Sequence, residues 1–269
     1  MSQTADILVV DDEQVILDAV AKICSAEGYR VVSTTDAREA ERLIGNGTFT
    51  MMLCDIMMPQ MDGFQLLGIV RHLAPVMPVV MATGFSTVEN AVRSLRDGAV
   101  DFVPKPFTSD ELLSAVGRAL RLRAFHKSTQ TPGSGEMDSS QLIVPCPPKC
   151  HRLGYASWVA LQEGGTALLG ISHLFTKVVE TMEAVELLPV NEELVQGTAC
   201  AQIRTVDGLV HPVLAPVSGR IIECNQTVVA SPASIEKDPY FDGWLYRLIP
   251  SDVDYEVPQL TSCSSGDLY

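Results

Sequence analysis

The stretch Leu53-Cys54-Asp55-Ile56-Met57-Met58-Pro59 decides how the first half of the chain is read. An apolar run, Met51-Met52-Leu53-Cys54, stops at a single acid, and Pro59 with Met61-Asp62-Gly63 then breaks the pattern. A short apolar run bounded by breakers predicts a buried parallel strand whose C-terminal tip carries Asp55. In an open α/β sheet the crevice beyond the carboxyl ends of the strands is where ligands bind. Asp55 is therefore the candidate site residue around which the flanking sequence is organised.

The same alternation recurs on both sides of this stretch. Residues 7–10 form an apolar strand ending in Asp11-Asp12-Glu13, and Val15, Ile16, Ala19, Val20 and Ile23 follow at helical spacing as far as Gly28. Val31-Val32 predicts a second strand, and residues 37–44 a second helix closed by Gly45. After the Asp55 strand, Phe64, Leu66, Leu67 and Val70 mark a third helix. Residues 79–82 give a fourth strand ending at Thr83-Gly84, and Val88, Ala91, Val92 and Leu95 lie on a helix closed by Asp97-Gly98. Residues 100–103 give a fifth strand ending at Pro104-Lys105-Pro106. Thr108 or Ser109 can cap a last helix with Leu112, Leu113, Val116 and Leu120 on its inner face. Five βα units in succession predict a doubly wound, five-stranded parallel sheet covered on both sides.

That topology gathers Asp11, Asp12, Asp55, Thr83 and Lys105 at the carboxyl edge of the sheet. Three clustered carboxylates repel one another, and a divalent cation removes the conflict. Mg²⁺ suits such a site because it is hard, oxygen-seeking and keeps several waters. The cation and Lys105 can neutralise a phosphoryl group arriving on Asp55, to which Thr83 can donate a hydrogen bond. A single acid at a strand end is ordinarily a solvated terminus, but this set of polar residues converging on one edge is not explained that way.

These residues resemble the receiver domain of two-component response regulators, which has the flavodoxin/CheY-like fold. The matching pieces are Val9-Val10-Asp11-Asp12-Glu13, Asp55-Ile56-Met57-Met58-Pro59, Asp62-Gly63, Ala82-Thr83-Gly84 and the run from Ala99 to Phe107, so the likeness covers residues 5–125. The resemblance implies that a histidine kinase phosphorylates Asp55 and that Mg²⁺ sits on Asp11, Asp12, Asp55 and the Met57 carbonyl. It implies a switch in which Thr83 and Phe102 move together, and a cis Lys105-Pro106 peptide. It further implies that any catalysis is limited to the domain's own phosphoryl transfer and slow dephosphorylation, so the chain is not expected to be an enzyme otherwise. In this family the side chains two positions after the acceptor Asp and after the switch Thr set the dephosphorylation rate. Here they are Met57 and Phe85, both apolar, which predicts a long-lived phospho-form. Decay measured with and without Met57→Asn tests this, and loss within seconds in the unmodified protein counts against it.

Composition limits the rest. The 269 residues are 46% hydrophobic with a net charge of −14, enough for one or two cores. Residues 142–269 carry 7 Lys+Arg against 15 Asp+Glu, and residues 1–141 carry 12 against 18. Neither half has the basic footprint of a DNA-binding domain. No basic start followed by a long apolar run opens the chain, and no apolar stretch is long enough to cross a bilayer, so the expected location is the cytoplasm with no membrane contact. Seven scattered cysteines fit a reducing compartment.

After residue 125 the composition turns to Ser, Thr, Gly and Pro, and residues 126–150 are expected to be a linker, into which the preceding helix can run. Cys146-Pro147-Pro148-Lys149-Cys150-His151 offers two thiols and an imidazole, but with no fourth ligand in view Cys146 and Cys150 read as free cysteines. From residue 157 short strands are punctuated by Gly and Pro: 157–161, 166–170, 185–188, 200–206, 209–214, 219–223 and 243–249, with 171–178 the one expected helix. This predicts a small β-barrel or sandwich. Residues 254–269 are expected to fray.

Residues 152–253 look like the glycine cleavage system H protein of the lipoyl/biotinyl superfamily, a barrel-sandwich hybrid. The likeness rests on Gly165-Thr166-Ala167-Leu168-Leu169-Gly170-Ile171-Ser172, Gly197-Thr198-Ala199-Cys200, Ala215-Pro216-Val217-Ser218-Gly219-Arg220-Ile221, Asp238-Pro239-Tyr240, Asp242-Gly243-Trp244-Leu245 and Pro250-Ser251-Asp252. It implies a hairpin-tip Lys carrying lipoate, but that position falls on Asp207, and no Lys lies between Lys177 and Lys237. A carboxylate cannot form the lipoyl amide, so no lipoyl cofactor is expected, and the Asp207-Gly208 pair is read as a two-residue hairpin turn. The domain limits become 1–125, 126–150, 151–253 and 254–269. The expected function is a response regulator whose Asp55 controls a non-lipoylated H-protein-like output. Its expected partners are a histidine kinase, an unidentified protein, and a second copy through the face of the fourth helix, fifth strand and fifth helix. The alternative is a regulator or carrier-like component of glycine cleavage or lipoyl metabolism.

Overall fold

The computed structural model describes residues 6–47, 49–84, 87–130 and 143–263. The chain divides into two compact units. Along residues 7–130, strands β1 (Ile7–Val10), β2 (Val31–Thr34), β3 (Met51–Asp55), β4 (Val79–Thr83) and β5 (Asp101–Pro104) alternate with helices α1 (Gln14–Ala26), α2 (Ala37–Asn46), α3 (Gly63–Leu73), α4 (Val88–Arg96) and α5 (Ser109–Gln130). The strands form one sheet in the order β2-β1-β3-β4-β5, every pair parallel. This is the doubly wound, five-stranded sheet expected.

Side-chain alternation along each strand feeds two cores. Leu8, Val10, Met52, Cys54, Val79 and Met81 pack on one face with Ala37, Ala40 and Ile44 of α2 and Leu66, Leu67 and Val70 of α3. Ile7, Val9, Met51, Leu53, Val80 and Ala82 pack on the other with Leu17, Val20 and Cys24 of α1 and Leu112, Ala115, Val116 and Ala119 of α5. That is why these strands read as continuous apolar runs.

Two joints around β3 and β5 matter for the site. Asp62 opens α3 with a capping box: its carboxylate accepts from Gln65 N at 2.8 Å, and the Gln65 amide oxygen accepts from Asp62 N at 3.0 Å. Thr108 caps α5 in the same reciprocal way with Glu111. Arg118, buried on α5, donates to Asp101 on β5 from Nε at 2.8 Å and Nη2 at 2.5 Å, tying that helix to the edge strand. The Lys105-Pro106 bond is cis.

The second unit is antiparallel. Strands β6 (Cys150–Leu153), β7 (Ser157–Leu161), β8 (Ala167–Ile171), β9 (Met182–Leu187), β10 (Glu193–Leu194), β11 (Ala199–Thr205), β12 (Val210–Leu214), β13 (Gly219–Cys224), β14 (Trp244–Pro250) and β15 (Thr261–Ser262) make two sheets. Their orders are β10-β13-β14-β8-β7-β6-β15 and β12-β11-β9. Trp158 is buried and donates Nε1–H to the carbonyls of Ile171 and Pro239. Buried Tyr246 accepts from Leu188 N and donates to the Cys200 carbonyl, both at 2.7 Å. Each aromatic thus buries its ring and satisfies its polar tip, as a small β core requires.

Three expectations are corrected here. The helix α6 (His173–Val178) has company: α7 (Gln226–Ala230), α8 (Ala233–Lys237) and α9 (Val253–Glu256) are too short to show helical periodicity in sequence. Residues 254–263 are not a frayed tail. Glu256 accepts from Ser218 N at 2.7 Å and from the Ser218 hydroxyl, and β15 pairs with β6. Finally, the β11–β12 turn is a three-residue loop, Val206-Asp207-Gly208, rather than a two-residue one. Thr205 N donates to Leu209 O at 3.1 Å, Gly208 N donates to Thr205 O at 2.9 Å, and Gly208 takes the left-handed φ of 82° that closes such loops. Of the expected linker and tail, residues 131–142 and 264–269 lie outside the described residues.

Candidate functional site: an acid-lysine cluster at the strand ends

The parallel register brings the tips of β1, β3, β4 and β5 together. Asp11 follows β1, Asp55 ends β3, Thr83 ends β4 opposite Pro104, and Lys105 follows β5. Asp11 and Asp55 are 2% and 5% exposed. The Lys105 ammonium lies between them, 2.6 Å from Asp11 Oδ2 and 2.9 Å from Asp55 Oδ2, with Glu13 Oε1 farther out at 3.8 Å. The backbone fixes the other carboxylate oxygens: Asp11 Oδ1 accepts from Glu13 N at 3.1 Å, and Asp55 Oδ1 from Met57 N at 3.2 Å. Lys105 is held from behind, its own N–H donating to the Thr83 carbonyl at 2.8 Å.

The electrostatics follow from burial against pairing. Burial holds the Asp11 carboxyl above the ordinary carboxylate range, opposed by the Lys105 hydrogen bond and reinforced by the nearby Asp55 charge. For Lys105, burial pulls downward, but hydrogen bonds and charge from Asp11 and Asp55 together outweigh it and raise the amine.

Asp11, Asp12 and Asp55 offer ligand oxygens that all lie within 4.8 Å of one another, with Asp12 on the solvent side. An all-carboxylate donor set without thiolate or imidazole fits a hard divalent ion such as Mg²⁺. The remaining residues fall as follows. Thr83 is fully buried, and Phe102 packs partly buried against the core that holds Met81 and Leu66. The Met57 side chain is 51% exposed, whereas Phe85, its apolar counterpart in the expected slow dephosphorylation, lies outside the described residues. Cys146 and Cys150 are free thiols. Asp207 sits exposed at the hairpin tip, where its Oδ1 accepts from the Thr205 hydroxyl at 2.5 Å.

The geometry also explains a residue whose role sequence reading left open. A methyl group on Gly63 would stand 2.1 Å from the Asp55 carbonyl oxygen and 2.9 Å from Ile56 Cα. The start of α3 presses on the backbone of Asp55 and Ile56 so closely that only glycine fits.

Comparison with known proteins gives two family matches. Residues 7–117 match the response regulator receiver domain family, and residues 150–265 match the glycine cleavage H-protein family. The chain thus carries a receiver domain followed by an H-protein-like domain, and the latter has no Lys between Lys177 and Lys237. It is similar to the response regulator protein FleR of Pseudomonas aeruginosa, with 34% identity over 49% of this chain and 26% of FleR. It is also similar to the transcriptional regulatory protein ZraR of Escherichia coli, with 36% identity over 62% of this chain and 37% of ZraR. The chain therefore spans between a quarter and two fifths of these relatives' length. Among solved structures it is similar to the receiver domain of NtrX from Brucella abortus, with 41% identity, TM-score 0.42, and coverage of 43% of this chain and 98% of that one. It is also similar to an H protein from Mycobacterium marinum, with 28% identity, TM-score 0.39, and coverage of 44% and 94%. No helix among the described residues is long and apolar enough to cross a membrane.

Proposed function

We propose that this protein is the response regulator of a two-component phosphorelay. In this reading Asp55 accepts a phosphoryl group from the phosphohistidine of a histidine kinase. One Asp55 oxygen attacks phosphorus, the P–N bond breaks, and the imidazole leaves. Lys105, already shared between Asp11 and Asp55, turns its ammonium to the new phosphoryl oxygens, and the Thr83 hydroxyl donates to one of them. Mg²⁺ held by Asp11, Asp12, Asp55 and the Met57 carbonyl supplies further charge neutralisation when bound. Thr83 and Phe102 relay the change to the surface around β4 and β5.

The H-protein-like domain serves as output through protein interaction. Asp207 at its hairpin tip removes the swinging arm, leaving a fixed β-surface with no shuttling chemistry. The chain then carries no catalysis beyond its own phosphorylation and slow dephosphorylation, and it works in the cytoplasm.

The observation that carries the reading is Lys105 bridging two buried carboxylates at the ends of different strands. The test is to treat the full chain with Mg²⁺ and acetyl phosphate and map the product by mass spectrometry. A phosphoryl adduct on Asp55, absent in Asp55→Asn, is expected; an unlabelled Asp55 overturns the reading. Affinity capture with phosphorylated protein and with Asp55→Asn then tests the output, and identical partner sets would sink the proposed control.

A further inference from the structure

Cys146 and Cys150 meet a third cysteine from far along the chain, Cys263, at one edge of the seven-stranded sheet. Cys150 opens β6, against which β15 pairs antiparallel with Thr261 opposite Arg152 and Ser262 opposite His151. The next residue, Cys263, continues that register toward Cys150. A turn closed by Cys150 N on the Pro147 carbonyl at 2.9 Å brings Cys146 back to the same edge. Cys146 and Cys263, each partly buried, pack against the cluster of Cys150, Trp158 and Tyr240. All three are free thiols, and Cys150 and Cys263 both lie near enough to Cys146 to raise its thiol. Arg152, two residues along β6 from Cys150 and so on the same face, is 4% exposed and near enough to Cys263 for its charge to act on that thiol.

A buried guanidinium beside one thiol of such a group favours its thiolate. The Cys263 thiol is lowered, first by the Cys146 hydrogen bond and then by Arg152, against the effect of burial. The remaining cysteines are inert by comparison. Burial pushes Cys24 up to about 11 and Cys200 up to about 12 and raises Cys54, while burial and then Glu223 raise Cys224. A metal is the less suitable occupant: among the described residues only Asp11, Asp12 and Asp55 place three such ligand atoms close enough for one ion.

We propose that Cys263 and Cys146 are a redox pair in the H-protein-like domain, Cys263 reacting with a hydroperoxide and Cys146 closing the disulfide. The Cys263 sulfur attacks the peroxide, an S–O bond forms, the O–O bond breaks, and the departing oxygen leaves as water or alcohol after taking a proton. Cys263 is thereby oxidised to the sulfenic acid. Cys146 then gives up its proton and attacks that sulfur; the S–S bond forms, the S–O bond breaks, and a second water leaves. The product joins the segment before β6 to the residue after β15, which closes the domain's chain ends on each other.

The test uses the full reduced chain treated with hydrogen peroxide and mapped by mass spectrometry without reduction. A Cys146–Cys263 linked peptide is expected, formed at least about tenfold faster than Cys224 oxidises. In Cys146→Ser, dimedone should trap a sulfenic acid on Cys263, and Cys224→Ser should leave the link unchanged. A Cys146–Cys150 link in its place, or Cys263 reacting no faster than Cys224, overturns the proposal. The mapping of the unmodified protein decides this even if a variant folds poorly.

Discussion

Replacing Gly63 with alanine sets two effects of opposite sign against each other. Gly63 is the first residue of α3, and Gly→Ala in a helix ordinarily stabilises by about 0.5–1 kcal/mol. Here the added methyl would stand 2.1 Å from the Asp55 carbonyl oxygen and 2.9 Å from Ile56 Cα, both backbone atoms of the acceptor loop. A carbon–oxygen contact is comfortable only from about 3.3 Å, so loop and helix must part by roughly 1 Å. Such overpacking costs about 1–3 kcal/mol, and it outweighs the helical gain, leaving a net destabilisation of about 1–2 kcal/mol. A displacement of that size at a reacting group lowers the rate by about a hundredfold. Gly68 is the internal control: it lies in the same helix, is exposed, and has nothing within 4 Å of the place a methyl would occupy. Gly68→Ala should therefore stabilise by about 0.5–1 kcal/mol and leave phosphorylation unchanged. Calorimetry of the full chain and the rate of labelling by acetyl phosphate read the two quantities. If Gly63→Ala matches Gly68→Ala in both, the steric account of the acceptor loop is wrong.

Other perturbations follow from single contacts. Arg118→Ala strands Asp101, whose side chain is only 15% exposed, and should destabilise the receiver by about 2–4 kcal/mol and lower its Tm by roughly 10 °C; a change under about 2 °C would count against this anchor. His173 Nδ1 accepts from Val144 N at 2.6 Å, and burial, then Lys177 on the same helix, lowers its pKa, while Tyr240 Oη faces its backbone N–H. The unfolded chain therefore takes up the proton first, and the second domain should lose stability as pH falls below 6.5, by at most about 1.4 kcal/mol per unit. Both tryptophans, Trp158 and Trp244, lie in that domain, so their fluorescence reads it alone; a profile unchanged in His173→Gln would point to another group. Asp207→Lys places an amine on the preserved hairpin tip and should be lipoylated by lipoate ligase where the unmodified protein is not. No adduct on the variant would mean that the loop no longer presents its tip as a lipoyl carrier does.

The receiver was legible because its information is local. A strand buried on both faces reads as an apolar run, and the polar residue that ends it stands at the edge where Asp11, Asp55 and Lys105 meet. Thus Asp11, Asp55 and Thr83 could be placed from the residues just before them, and Lys105 from the prolines around it. What escaped were contacts between elements. The Arg118–Asp101 pair joins residues seventeen apart in sequence, and each alone reads as an ordinary polar surface position. Gly63 looks like a turn residue until the Asp55 carbonyl is seen against it.

The second domain was harder to read because its short strands take their partners from far along the chain. Cys150 and Cys263 are brought together by β15, a two-residue strand with no periodicity of its own, and the segment containing it looked like a tail. What fixes that segment is Glu256, whose carboxylate is held by Ser218, while its carbonyl accepts from the Gln196 side chain. Asp207 marks the opposite limit. The hairpin is closed by a left-handed glycine and by Thr205 bonded to Leu209, and neither device depends on the side chain at position 207. Stability and chemistry therefore separate at this position. The hairpin is held by its own backbone bonds and packing, whatever side chain stands at its tip.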